Sequence, residues 1–234
     1  MKTVAVTCSW LVSFGVFGLT VGGPAPTSAA TVEVTVPGQA DPWLAGMPDG
    51  STASCYLGVC SVPPDQSPAH VPDLCLIAGE FLTFQVTGGT AQNPNYPLLP
   101  PDGGQPTIHH AGADNGMSTI FAPISSCLAV FLSDDRPDQS PAPPDLDFGT
   151  VESRNYLLLS PMLKQVFFVG DGRTTEGVLQ KIVIPMEATR LYLGTMDSWE
   201  WSNNIGELDA KVTDPCGPTS IDRVGWATVK ARYR

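Results

Sequence analysis

The chain has 234 residues, 23 of them Gly and 23 Pro, with a formal net charge of −11 at pH 7. A balance this acidic argues against a nucleic-acid partner, because phosphate binding needs clustered Lys and Arg. Gly and Pro spread along the whole length disfavour long helices and favour turns.

Residues 1–30, MKTVAVTCSWLVSFGVFGLTVGGPAPTSAA, carry one positive charge at Lys2, an apolar run from Val4 to Val21, and a small-residue ending at Ser28-Ala29-Ala30. That layout predicts a secretory signal peptide cleaved after Ala30. The Gly- and Pro-rich exit and the small-x-small ending favour cleavage over a membrane anchor. The mature chain, 31–234, is expected to be secreted or extracytoplasmic and to fold as a single domain. No later stretch approaches the roughly 20 apolar residues a membrane span needs.

Short β-rich runs follow in order. TVEVTV (31–36) alternates strictly. EFLTFQV (80–86), CLAVFL (127–132), QVFFVG (165–170), VLQKIVIP (178–185), TRLYLGT (189–195), ELDAKV (207–212) and VGWATVK (224–230) are rich in Val, Ile, Phe, Tyr and Thr. Each is bounded by turn residues, so the predicted fold is all-β, an antiparallel sandwich or jelly roll. LLLSPMLK (157–164) is the one place where a short helical turn is expected. The connections 37–75, 88–119 and 133–160 are long and rich in Pro, Asp, Gly and Ser, and loops of this length are often functional. PDQSPA occurs at 64–69 and at 137–142, without matching flanks, and reads as two similar loops rather than a repeat.

The mature cysteines are Cys55, Cys60, Cys75, Cys127 and Cys216. Export permits disulfides. Five is odd, so at least one thiol is free or pairs with another chain, which makes a covalent oligomer an expectation to test. A bridge among Cys55, Cys60 and Cys75 would staple their loop. No G-x-S-x-G, H-E-x-x-H or P-loop motif is present. His109 and His110 are adjacent, so on a strand they face opposite ways and do not share a metal. Asp134-Asp135-Arg136-Pro137-Asp138 reads as a turn before it reads as a weak calcium loop.

GTMDSWEWSNNIGEL (194–208) combines carboxylates, two amides and two tryptophans. Calcium takes six to eight oxygens from carboxylates, amides and main-chain carbonyls, and Asp197, Asn203 and Asn204 supply that chemistry. EF-hand spacing fails, because the third and fifth positions from Asp197 are Trp199 and Trp201. The strands on either side predict a hairpin with this stretch at its tip, and Asn-Asn-x-Gly is also plain turn chemistry. In an extended segment Trp199 and Trp201 share a face. Exposed rings beside polar groups bind sugars by covering their C–H faces.

At these residues the chain resembles the calcium-dependent, galactose-binding bacterial lectins of the PA-I type. GTMDSWEWSNNIGELDAKV (194–212) is similar to their C-terminal hairpin. The resemblance implies Ca²⁺ held by Asp197, Asn203 and Asn204, with main-chain carbonyls from Glu200 and from Gln92 in FQVTGGTAQ (84–92). A saccharide, galactose-like in that family, would complete the coordination. Trp199 or Trp201 would stack on it, and His110 and Asn115 correspond loosely to the family's sugar-contacting loop. The chain as a whole resembles uncharacterised exported bacterial proteins carrying this lectin-like domain, over nearly all of 31–214. Two departures bear on the sugar: the Asp-to-Asn spacing is one shorter than in the lectins, and Glu200 stands where they have a small polar residue. Calcium is therefore better supported than galactose. The alternative expectation is a structural or cell-surface interaction module. A glycosidase is disfavoured, because Asp197 and Glu200 would sit side by side rather than across a cleft.

Overall fold

The structure is a computed structural model that describes residues 30–110 and 112–216. The expected signal peptide, apart from Ala30, and the strand expected at 224–230 lie outside the described residues. Fourteen strands follow in order. They are β1 (Thr31–Pro37), β2 (Ala53–Tyr56), β3 (Val59–Ser61), β4 (Ala69–His70), β5 (Phe81–Ala91), β6 (Gly104–His109) and β7 (Ile120–Ile124). Then come β8 (Cys127–Leu132), β9 (Leu146–Asp147), β10 (Leu158–Leu159), β11 (Phe167–Phe168), β12 (Lys181–Val183), β13 (Arg190–Thr195) and β14 (Ile205–Thr213).

Two sheets make the sandwich, one ordered β1-β14-β5-β12-β10 and the other β11-β8-β13-β4. The spine of the first is β14 between β1 and β5, with Thr31 opposite Thr213 and Pro37 opposite Glu207. Alternation sets its inward face: Leu82, Phe84 and Val86 of β5 and Leu208, Ala210 and Val212 of β14 are buried, as a period of two requires. CLAVFL of β8 is buried at every position, because its second face is covered too. There Trp43 sits fully buried and donates its indole N–H to the Ser118 carbonyl. The fold is thus an all-β sandwich with added layers. A two-stranded ribbon, β2-β3, and a three-stranded sheet, β6-β7-β9, are built from the long connections.

Several expectations shift. The connections 37–75, 88–119 and 133–160 contribute strands, β6 among them, that Pro and Gly had concealed. Pairing is antiparallel except at β10–β12 and β7–β9, which are parallel. The helical turn expected at 157–164 is absent: Leu158 and Leu159 form β10. The α-helical turn, α1, lies instead at Val151–Arg154, where Thr150 and Ser153 form a capping box that satisfies the exposed N–H groups of the first turn. Around Asp134–Asp138 the turn reading holds, with Arg136 paired to Asp138 and Pro137–Gln139 in a 3-10 turn. Among the described residues, no helix is long and apolar enough to cross a membrane.

Two disulfides form, Cys55–Cys60 and Cys75–Cys216, which fits an oxidising compartment. The first staples the β2–β3 ribbon as expected. The odd thiol is Cys127, fully buried in β8 and pushed up to about 12 by that burial. The covalent-dimer expectation is corrected on this ground, because a protonated thiol inside the core cannot reach another chain.

Candidate functional site

The stretch 196–204 is not a hairpin tip. β13 pairs with β8 and β4, whereas β14 pairs with β1 and β5, so 196–204 arches from one sheet to the other. The cause is local. Glu200 adopts a left-handed conformation at φ 63 and starts a 3-10 turn over Trp201–Asn203. That reversal puts the two tryptophans on opposite sides. Trp201 is 0% exposed, donates its indole N–H to the Thr195 carbonyl at 3.1 Å, and meets Trp43 edge-on with centroids 5.7 Å apart. Trp199 is 43% exposed and stacks on Tyr56 of the stapled ribbon at 4.6 Å. Trp201 therefore plugs the end of the core and is not available to stack on a ligand.

Gly38 locks the arch to β1. Its carbonyl accepts from Thr195 Oγ1 at 2.7 Å and from Asn204 Nδ2 at 3.1 Å. A Cβ at Gly38 would lie 2.5 Å from the Ile205 carbonyl oxygen, so only glycine permits this approach. Because Nδ2 must face that carbonyl, Asn204 Oδ1 is turned the other way, and it is buried without a hydrogen-bond donor. An orphaned buried acceptor is uncommon and costly.

Asp197, Glu200, Asn203, Trp199 and Gln92 line one hollow of about 240 Å³, together with Asn93 and Ile108. Asp197 is nearly buried, and its Oδ1 accepts from the Ser198 N–H at 2.6 Å. Burial pushes its carboxyl up to about 6, against the pull of the Ser198 and Trp199 N–H groups and the Asn204 amide, and the Glu200 charge adds to the rise. Asn203 Nδ2 reaches the Glu200 carboxylate at 3.3 Å. The arrangement is a polar hollow with two neighbouring carboxylates, amide oxygens and an exposed ring at its rim. Its oxygens suit a hard divalent cation. Among the described residues no three His, Cys, Asp or Glu side chains gather as metal ligands, so an ion here would rely on amide and main-chain oxygens as well.

His110 and Asn115 are elsewhere, which corrects their expected place at the ligand. His110 is buried and stacks on Trp43 with centroids 3.5 Å apart. Its Nδ1 faces the Gly112 carbonyl at 3.0 Å and its Nε2 faces Ser54 Oγ at 3.1 Å. Asn115 Nδ2 donates to the Trp43 and Thr52 carbonyls. Both fasten the covering layer. The neighbouring His109 is exposed and meets Thr119 Oγ1 at 3.1 Å, so the adjacent pair does face opposite ways. Tyr56 is the participant that sequence reasoning missed. Its only signal was an aromatic inside the short loop between Cys55 and Cys60.

Burial lowers His110 to about 4, from 6.5. Its folded-state pKa is depressed, so as pH falls the unfolded chain takes up the proton first and stability is lost below about pH 6.5. Between pH 8 and pH 5 this costs the wild type about 2 kcal/mol that a His110→Gln variant does not lose. Buried Asp41, raised to about 7, acts in the opposite sense in both proteins, so the effect is read as the difference between the two denaturation curves, with Ser54 as the partner the two groups share. Equal pH dependence in wild type and variant would contradict a neutral, buried imidazole.

Comparison with known protein families, curated proteins and solved structures finds no match. The functional reading therefore rests on the arch itself.

Proposed function

We propose that the chain is an exported carbohydrate-binding protein whose 197–204 arch holds a calcium ion and presents it, beside Trp199, to a saccharide. One observation carries the reading: Asn204 Oδ1 is buried without a donor, and its amide lies against the desolvated carboxyl of Asp197. A cation would give Asn204 Oδ1 the partner that the protein does not supply and would neutralise the Asp197 carboxylate, whose Oδ1 already accepts from the Ser198 N–H. Asp197 and Asn203 would hold the ion with the carbonyls of Glu200 and Gln92, which line the same hollow; Asn204 is not part of that lining and would join them only by turning its Oδ1 toward Asp197. Bound calcium would attract the hydroxyl oxygens of a sugar. Trp199, backed by Tyr56, supplies the apolar face for its C–H groups.

Calorimetric unfolding with and without EDTA tests the metal. At a calcium concentration 100-fold above Kd, the wild type gains about 2.7 kcal/mol, and Asp197→Asn gains nothing. An unchanged wild-type midpoint, or the same gain in Asp197→Asn, removes the calcium claim. Without calcium at pH 8, Asp197→Asn is at least as stable as the wild type, because the variant no longer buries a carboxylate whose folded pKa is raised. A glycan array probed with calcium present tests the sugar separately. Trp199→Ala weakens saccharide binding about tenfold and leaves the calcium response unchanged, and array silence removes the sugar claim.

A further inference from the structure

Basic side chains are scarce in this protein, and most are engaged. Of the seven Lys and Arg among the described residues, Arg136 pairs with Asp138 and Lys211 with Glu33. Lys164 is held by the carbonyls of Pro137, Ser140 and Pro141, and Arg190 by those of Ser133 and Asp135. Lys181 lies over the Phe81 ring. The two that remain, Arg154 and Arg173, line the same hollow.

That hollow, of about 300 Å³, lies between the start of β6, the segment around α1 and the turn after β11. Each guanidinium is steadied by one main-chain carbonyl: Arg154 Nη1 donates to Phe148 O at 2.6 Å, and Arg173 Nη1 donates to Gly177 O at 2.8 Å. Neither forms an ion pair with a carboxylate within 4.0 Å among the described residues. The hollow holds two cations against one carboxylate, Asp102, which feels the Arg154 charge but makes no direct ion pair, so an entering oxyanion finds guanidinium donors that no carboxylate occupies. Phe168 and Val151 give the space an apolar wall.

Asp102 also lines it. Its Oδ1 accepts from the Asp171 N–H at 2.9 Å, which leaves Oδ2 to accept from a hydroxyl. That carboxylate disfavours a bare polyanion and favours a ligand that pairs one acidic group with hydroxyls. A lone phosphate is also small for 300 Å³.

We infer that the hollow formed by Arg154, Arg173 and Asp102 is a second binding site, independent of the calcium arch, that takes an acidic monosaccharide: the carboxylate on the arginines and a ring hydroxyl on Asp102. The reading needs neither calcium nor Trp199.

Titration calorimetry of the full chain in EDTA tests it, with glucuronate, glucose and inorganic phosphate as probes. Glucuronate gives saturable heat and glucose gives none. Affinity falls about tenfold in Arg173→Gln and weakens with added NaCl, because the contact is ionic. Arg173 is exposed, so this variant keeps its fold. Arg154→Gln, checked for folding by its unfolding midpoint, weakens binding likewise, and Asp197→Asn leaves it unchanged. No heat from glucuronate, equal affinity in Arg173→Gln, or phosphate binding without glucuronate binding each overturns the assignment. The arch proposal stands or falls by its own EDTA experiment.

Discussion

Trp201→Ala costs the fold about 3–5 kcal/mol, whereas Trp199→Ala costs less than about 1 kcal/mol. The two residues are neighbours in sequence, yet one fills the end of the core, where its ring meets Trp43, and the other lies 43% exposed against Tyr56. Removing the first leaves a cavity that two sheets cannot close, and it strips the Thr195 carbonyl of its indole donor. Urea unfolding of both variants measures the contrast. Similar small losses in the two would mean that Trp201 is not the plug between the sheets, and the arch would need a different account. The same experiment bears on function, because a folded Trp199→Ala protein is the proper reagent for the saccharide test.

The second large effect is the loss of the Cys75–Cys216 bridge. It joins residues 141 apart in sequence and ties the segment before β5 to the chain just after β14. Closing so long a loop restricts the unfolded chain strongly, so Cys75→Ser with Cys216→Ser lowers stability by about 4–5 kcal/mol in the chain-entropy account. The Cys55–Cys60 bridge spans only five positions, and its double serine variant loses about 2 kcal/mol by the same reasoning. Calorimetric midpoints of the two variants give the order directly. A larger loss from the short bridge would show that its role lies in native packing around Tyr56 rather than in loop closure.

Both effects depend on features that were unevenly legible in the sequence. Strands made of β-branched and aromatic residues, such as those at 31–36, 127–132 and 207–212, stand out because burial alone dictates their composition. IFAPI of β7 and GQPTIH of β6 hide behind Pro123 and Pro106, since proline marks turns as often as strand edges. The expected pairing of β13 with β14 rested on their closeness in sequence, which usually makes strands neighbours. It failed because Glu200 reverses the backbone and Trp201 finds a better burial between the sheets. Part of the hollow's lining was readable: Asp197 and Asn203 stand out by their oxygen chemistry, Gln92 and Glu200 were implied only by the lectin resemblance, and Asn204, expected with them, does not line it. Tyr56 was not readable, because it arrives from a ribbon more than a hundred residues away. His110 was misplaced for a related reason. Adjacent residues on a strand face opposite ways, but nothing in the sequence says which one turns inward.

The β1–β14 ladder has a consequence for presentation. Thr31 and Thr213 sit side by side at one end of it, and the arch departs from Ile205 at the other, beyond Pro37. Six residue steps of strand separate the two ends by about 20 Å. A partner fused directly to residue 31 therefore starts about 20 Å from the arch, at the opposite end of the ladder.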